Sequence, residues 1–231
     1  MALRPVFIPE YDSDLLVATK MIEFPWVSGQ LVSEKQQCVS SLHQMTREKF
    51  GLSKVLEIST KSEEMLGISL SAFSLSCESK SGRDLAVESL FQSAKKFENG
   101  GPFYDLANKS PAEAKGDARL KSSGRLKAFQ FQGVTWPLIP QTLFYDWLYL
   151  NSLKNRENLS DKLGDYQAFT DIEFNPQRSI NCQAYSVAMF QSMRGRGILE
   201  KALGSKEDFL TTVQKYSAGS TTHGNEQRSL F

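Results

Sequence analysis

The sequence predicts an α+β fold, predominantly α-helical, in a single domain with a few short strands. Three observations predict it. Apolar residues recur at helical spacing in most of the longer segments. The β-branched and aromatic runs that read as strands are short and scattered. No internal repeat and no long Pro-, Gly- or Ser-rich linker divides the 231 residues, a length that suits one sizeable core.

The elements follow in order. The first 30 residues read as extended structure and loop, with PVFIP and LLVATKMIEF punctuated by Pro5, Pro9 and Pro25. A helix is expected from Ser33 to Lys49, with Ser33 as its cap and Cys38, Leu42, Met45 and Lys49 at helical spacing. VLEIS, 55–59, is a strand candidate. Residues 60–84, rich in Ser, Gly and charge, read as loop around a small extended element, LSAFSL.

A second helix is expected after Asp84 as N-cap, with Val87, Leu90, Ala94 and Phe97 as its apolar stripe. Asn99-Gly100-Gly101-Pro102 would stop it. SPAEAKGDARL, 110–120, reads as a short helix capped by Ser110, with Pro111 in its first turn and Glu113 three residues on. Lys121–Gly133 reads as loop with one extended piece. TLFYDWLYLNSLKN, 142–155, is the most apolar helix candidate. YQAFTDIEF, 166–174, fits strand or loop. SINCQAYSVAMFQSM, 179–193, reads as a helix with Val187, Phe190 and Met193 inward, and KEDFLTTVQKY as a last helix. SAGSTTHGNEQRSLF, 217–231, is polar and is expected to be disordered.

Composition excludes several classes. The net charge of +1 gives no polyelectrolyte signature, so any nucleic-acid contact is expected to be local. No apolar run reaches the roughly 18 residues of a membrane span, and the N-terminus lacks a signal-peptide pattern. Cys38, Cys77 and Cys182 stand far apart, there is no CxxC, and only two His occur. Neither a disulfide scaffold nor a zinc site is expected, and the three thiols read as small buried hydrophobes. No Walker, GxGxxG, Ser-His-Asp or HExxH pattern is present. The expectation is a cytoplasmic protein with no cofactor and no membrane partner.

VESLFQSAKKFENGGPF, 87–103, carries the most chemistry. Seven helical residues turn through about 700°, so Glu88 and Lys95 would lie about 20° apart, two turns from one another. Glu88, Phe91, Gln92 and Lys95 would then form one line, with Lys96 about 100° away. The pair is too far apart for an ordinary helix ion pair and could act on something between them; spacing alone favours an ordinary solvated helix edge. Asp171 and Glu173, inside an aromatic and apolar run, are further candidates for acid–base work or for outward-facing strand positions.

These motifs, taken in order, resemble the NADAR (YbiA-like) family. They are LSAF (70–73), VESLFQSAK (87–95), SPAEAK (110–115), Trp136 ahead of FYDWLYLNSL, DIEF (171–174) and INCQA (180–184). FENGGPF and the long N-terminal segment are similar to the subgroup accompanying DarT-type DNA ADP-ribosyltransferase toxins. The resemblance covers roughly residues 55–195. Lys96 intervenes between Lys95 and Phe97 where the family runs from Lys directly to Phe. NPQRSINC replaces the usual WG-x-G, and Ala72 stands where Asn is common. The domain division it implies is an N-terminal extension, 1–54, packed on a catalytic domain, 55–203, followed by a C-terminal helix and disordered tail, 204–231.

The resemblance implies N-glycosidase chemistry: removal of ADP-ribose from guanine bases in DNA, by an antitoxin that reverses a toxin's lesion. ADP-ribosylated DNA, ADP-ribose and a cognate ADP-ribosyltransferase toxin are the implied partners. On this reading Glu88 is the general acid and Lys95 a nucleophile forming a Schiff base. Alternatively, Asp171 or Glu173 is a second carboxylate beside an oxocarbenium-like state. Lys61, Gly100, Gly101 and Arg119 would contact pyrophosphate, Trp136 and Tyr145 would stack on a base, and Ser71, Phe73, Gln92 and Asn181 would complete the binding site. Two other readings stay open. One is an N-glycosidase for a ribosylamino metabolite of riboflavin synthesis; the other is a non-catalytic ADP-ribose-binding or antitoxin module.

Overall fold

The computed structural model describes residues 1–79, 82–177 and 179–217. Strands β1 (Ala2–Pro9) and β2 (Val17–Phe24) form a hairpin in which Ala2 faces Phe24 and Pro9 faces Val17. Helix α1 (Val32–Phe50) and strand β3 (Val55–Glu57) follow, then the short helix α2 (Met65–Ser69). Strands β4 (Ser76–Glu78) and β5 (Asp84–Ala86) pair antiparallel and deliver the chain into α3 (Val87–Ser93). Strand β6 (Lys95–Phe97), a 3-10 turn at Tyr104–Asn108, and helices α4 (Pro111–Gly116) and α5 (Arg119–Ser122) come next. Strands β7 (Leu126–Phe131) and β8 (Val134–Trp136) complete a three-stranded sheet, ordered β6-β7-β8. Helices α6 (Leu143–Lys154) and α7 (Glu157–Ser160) lead to β9 (Ala168–Thr170). Helices α8 (Gln183–Gly195), α9 (Leu199–Ala202) and α10 (Lys206–Ser217) end the described chain. The spine of the fold is a four-stranded sheet in the order β2-β1-β9-β3.

This main sheet is buried on both faces, and the alternation of side chains along each strand decides which core each residue enters. Val6, Val55 and Ala168 point to the α1 side, where Ile22, Phe24, Cys38, Val39 and Leu42 join them. Phe7, Leu56 and Phe169 point the other way, into the larger core built with α3, α6 and α8. Strand β9 runs parallel to β3 and antiparallel to β1, so it lies inside the sheet. Residues 1–54 therefore supply two of the four strands and the helix that covers one face.

Several expectations hold. The helix at 142–155 forms, and the Ser110–Glu113 capping box is present, though the helix it opens ends at Gly116 and α5 begins separately at Arg119. Val187, Phe190 and Met193 are all buried on α8. The 166–174 segment is strand as far as Thr170 and turn beyond it.

Others need correction. Ser33 does not cap α1. Leu31 precedes the helix, its N–H donates to the Glu34 carboxylate across 2.8 Å, and Gly51 ends the helix in a left-handed conformation. Asp84 is in β5, not at a helix cap, and the 60–84 segment contains α2. The expected long helix through Phe97 stops after Ser93. The chain continues as β6, because the Ala94 carbonyl accepts the Gln130 N–H across 2.7 Å and Lys95 pairs with Phe129. Lys95 is therefore not on a helical line with Glu88.

Among the described residues no helix is long and apolar enough to cross a membrane. None of their His, Cys, Asp and Glu side chains cluster as a metal site. The tail expected to be disordered lies, past Ser217, outside the described residues.

Candidate active site

A cleft of about 470 Å³ opens between α3, β6 and the segments that follow β3 and β9 and lead into α8. One wall is α3, with Glu88, Phe91 and Gln92; next to it stand Lys95 of β6 and Lys115 of α4. The facing wall is the segment after β9, with Asp171, Glu173 and Phe174, and the approach to α8, with Ile180, Asn181 and Gln183. Ser59 and Thr60 after β3, Ser71–Phe73 and Tyr145 line the rest.

Backbone hydrogen bonds set these parts against each other. Helix α3 has no side-chain cap; its first amides are satisfied by the preceding loop. Val87 N–H donates to the Leu75 carbonyl (2.9 Å) and Glu88 N–H to the Ala72 carbonyl (3.0 Å). The Gln183 side chain accepts the Ala72 N–H (2.8 Å) and donates to the Ile58 carbonyl (2.6 Å). One amide thus ties α8, the 71–75 loop and the end of β3 together. Tyr149 adds a hydroxyl donated to the Leu70 carbonyl.

Glu88 is buried, with its Oε1 accepting from Gln92 Nε2 at 2.9 Å and lying 3.8 Å from Lys115 Nζ. Lys95 Nζ lies 5.0 Å from the centre of the Phe91 ring. Burial lowers the Lys95 pKa; the nearby Glu88 carboxylate opposes the shift and Lys115 adds to it. Lys115 Nζ also sits 5.4 Å over the Phe73 ring.

Asp171 is buried on the opposite wall. Its Oδ1 accepts the Glu173 and Phe174 N–H groups at 3.0 and 3.1 Å. Burial holds its carboxyl well above the ordinary range, and the neighbouring Glu57 adds to this. Glu173 is half exposed at the rim and pairs with Lys35 of α1 at 3.8 Å.

Of the residues expected from sequence, the cleft gathers Glu88, Lys95, Asp171, Glu173, Ser71, Phe73, Gln92, Tyr145 and Asn181. Lys61, Gly100, Gly101, Arg119 and Trp136 are not in its lining. Trp136 cannot stack on a base: it is 1% exposed, with its ring 4.8 Å from Trp147 and 5.6 Å from Phe144. Arg119 is engaged by Asp117 (2.8 Å) and Asp105 (2.6 Å), and its guanidinium covers the Phe103 ring. Gly101 takes φ +75°, and a Cβ there would stand 2.4 Å from the Lys95 carbonyl oxygen. The Phe97 N–H donates to the Gly100 carbonyl across 2.8 Å. The double glycine therefore supports the Lys95 backbone from behind.

Sequence reasoning did not single out Lys115, Gln183, Ile180, Thr60 or Glu57. Lys115 had a signal, since it ends the SPAEAK motif. Gln92 Oε1 and Asn181 Oδ1 are buried acceptors with no hydrogen-bond partner among the described residues, and both residues line the cleft. They are suited to donors on a ligand, such as hydroxyls or an amine.

Comparison with known proteins then identifies one family. The family model described as DarT1-associated NADAR antitoxin matches residues 2–223. No curated protein matches the sequence.

Proposed function

The chain belongs to the family of DarT1-associated NADAR antitoxins, and from that premise we propose that it is an N-glycosidase removing ADP-ribose from guanine in DNA. The observation that carries this reading is the pairing of Lys95 and Glu88 in one cleft, with the amine buried enough for its pKa to be lowered. Lowering the pKa raises the share of neutral amine, the form whose lone pair can attack an anomeric carbon.

The reaction proceeds in balanced steps. The Lys95 nitrogen bonds to the anomeric carbon and sheds a proton to Glu88. The bond from that carbon to the guanine amine breaks, and the amine leaves with a proton from a carboxyl acid. The lysine-bound sugar opens to an imine as its ring oxygen gains a proton. Water adds to the imine carbon, Lys95 departs, and ADP-ribose is free. Before the proton transfer, Glu88, held by Gln92 and facing Lys115, places a negative charge beside the carbon where positive charge develops.

A guanine joined to ADP-ribose reaches such a cleft only from single-stranded DNA or when flipped from a duplex. The near-zero net charge suits a short contact with the strand. The role as antitoxin follows: the product is unmodified DNA, which undoes what a DNA ADP-ribosyltransferase does.

The test is incubation with single-stranded DNA carrying ADP-ribosyl-guanine and measurement of released ADP-ribose. Turnover by the wild type, abolished in Lys95→Ala and Glu88→Gln, is the expected result. Tight binding of the adduct with no release would sink the enzymatic reading and leave a binding module. Release from a small ribosylamino phosphate, but not from DNA, would move the substrate to a metabolite.

A further inference from the structure

Beneath the Asp171 wall lies a second carboxylate that the reaction above does not use. Glu57, at the end of β3, is 2% exposed. Its Oε1 accepts the Ile172 N–H at 2.8 Å and its Oε2 accepts the Thr170 hydroxyl at 2.6 Å. It is thus clamped to the residues on either side of Asp171. The Thr170 oxygen is in turn 2.8 Å from His43 Nε2 of α1, so the chain of groups runs through the sheet to a separate cavity lined by His43 and Glu57. With Glu57 as an anion, the Thr170 hydroxyl donates to it and accepts from His43 Nε2–H.

Two buried carboxyls this close in the fold do not both ionise without cost. Burial raises the Glu57 carboxyl as well, but donors on both its oxygens oppose that shift, Ile172 first, then Thr170 and Ser59. Asp171 has two amides on Oδ1, while its Oδ2 has, among the described residues, the weak Cys182 thiol at 4.0 Å. The carboxyl with donors on both oxygens, Glu57, takes the charge, and Asp171 keeps a proton, which belongs on Oδ2.

Resting on the N-glycosidase reading, we propose that Asp171 is the general acid that protonates the leaving amine, and that Glu57 is a positioning residue. Glu57 fixes the Thr170–Ile172 turn and, as an anion, holds the proton on Asp171. Glu88, which the sequence suggested as the acid, is left as the base beside Lys95. Burial and the Glu57 charge both push the Asp171 carboxyl upward, in keeping with this division. Other groups also face Asp171: Glu173 on its own loop, Cys182 at the start of α8, Tyr145 and Tyr149 of α6, and Arg4 of β1. Of these, Glu173 is a further like charge that raises the Asp171 carboxyl, and the Arg4 guanidinium opposes it; only Glu57 is bonded to the residues on both sides of Asp171.

The test has one arm that needs no substrate. Infrared difference spectra of the full-length protein are recorded at about pH 8, with wild type, Asp171→Asn and Glu57→Gln. A protonated-carboxyl band is expected in wild type and absent in Asp171→Asn; persistence of the band in Asp171→Asn overturns the proposal, whether or not the Glu57 variant folds. The amide introduced by Glu57→Gln can still accept from Ile172 and bond Thr170, so the turn is preserved while the charge is lost. In Glu57→Gln the band should therefore titrate away at lower pH than in wild type; an unmoved titration also overturns it. In the second arm, Glu57→Gln should release ADP-ribose about tenfold or more slowly at pH 8 but within about twofold of wild type near pH 5. Its affinity for ADP-ribose should stay within about twofold; equal loss at both pH values would make Glu57 purely structural and overturn its role on the Asp171 proton. A wild type that shows the band and its Glu57 dependence but is inert on ADP-ribosyl-guanine would remove the enzymatic reading and leave the carboxyl pair standing.

Discussion

Gly101 passes so close to Lys95 that a Cβ at 101 would lie 2.4 Å from the Lys95 carbonyl oxygen. The φ of +75° at Gly101 lets the chain turn back over the lysine it supports. Gly101→Ala meets both a strained backbone and a clash with backbone rather than with a yielding side chain. The expected cost is about 1–3 kcal/mol of stability, or several degrees in Tm. Because the clash lands on Lys95, kcat for ADP-ribose release should fall more than affinity for ADP-ribose. An alanine variant with unchanged Tm and kcat would contradict this geometry.

Lys95→Arg separates nucleophile from cation. Arginine keeps the positive charge near Glu88 and the stacking on Phe91, but it stays protonated and cannot form an imine. ADP-ribose affinity should remain within about fivefold while release drops by a factor on the order of 10³. Borohydride added during wild-type turnover should leave one sugar adduct, on Lys95. Release by Lys95→Arg at the wild-type rate, or trapping elsewhere, would exclude lysine as the nucleophile.

How much of this was legible in the sequence depends on the range of the interaction. Helices whose stripe and cap lie in one segment, such as α4 with its Ser110–Glu113 box, could be read directly. The end of α3 could not. Val87, Leu90, Ala94 and Phe97 keep the helical period through it, and only the distant Gln130 N–H, taking the Ala94 carbonyl, turns the chain into a strand. The Glu88–Lys95 pair was thus found by the right motif with the wrong geometry: the two residues meet because a helix and a strand converge. Trp136 illustrates the converse. Its chemistry suits base stacking, but its neighbours Phe144 and Trp147 come from another element and enclose it. Glu57 gave no local signal, since its role depends on Thr170 and Ile172, more than a hundred residues away.

The partly buried His43 and the buried Asp146 set opposite pH slopes on stability. Burial lowers the His43 pKa to about 4 from 6.5, with Arg47 adding to the shift. The unfolded chain therefore takes up a proton first as pH falls, and stability is lost between about pH 6.5 and 4, by up to roughly 3 kcal/mol. Burial raises the Asp146 pKa from 3.8 to about 6, opposed by hydrogen bonds from Ser186 and Thr142. The folded state holds that proton more tightly, so stability is lost as pH rises from about 4 to 6, by about 3 kcal/mol. Denaturant melts of His43→Gln should flatten the acid-side loss, and Asp146→Asn should be stabilised at pH 7 relative to wild type while matching it near pH 3.5. Parallel curves for either variant and wild type would show that the residue does not titrate in this way.

Lys115 tests the electrostatics of the cleft without touching the reacting pair covalently. Its side chain is 61% exposed and its ammonium lies 3.8 Å from Glu88, so its removal should cost stability little, about 0–1 kcal/mol. Its effect on Lys95 is larger in kind: a like charge there favours the neutral amine, while the Glu88 carboxylate favours the ammonium. Lys115→Ala removes the first influence and frees Glu88 to exert more of the second, so the Lys95 pKa should rise. Catalysis that needs a neutral Lys95 then loses activity on the acid side first. The acid limb of the pH–rate profile should move to higher pH in Lys115→Ala and stay in place in Lys115→Arg, with the shift shrinking as salt screens the exposed charge. A limb that moves the other way, or moves equally in both variants, would mean that Lys115 acts by contact with the substrate rather than through Lys95.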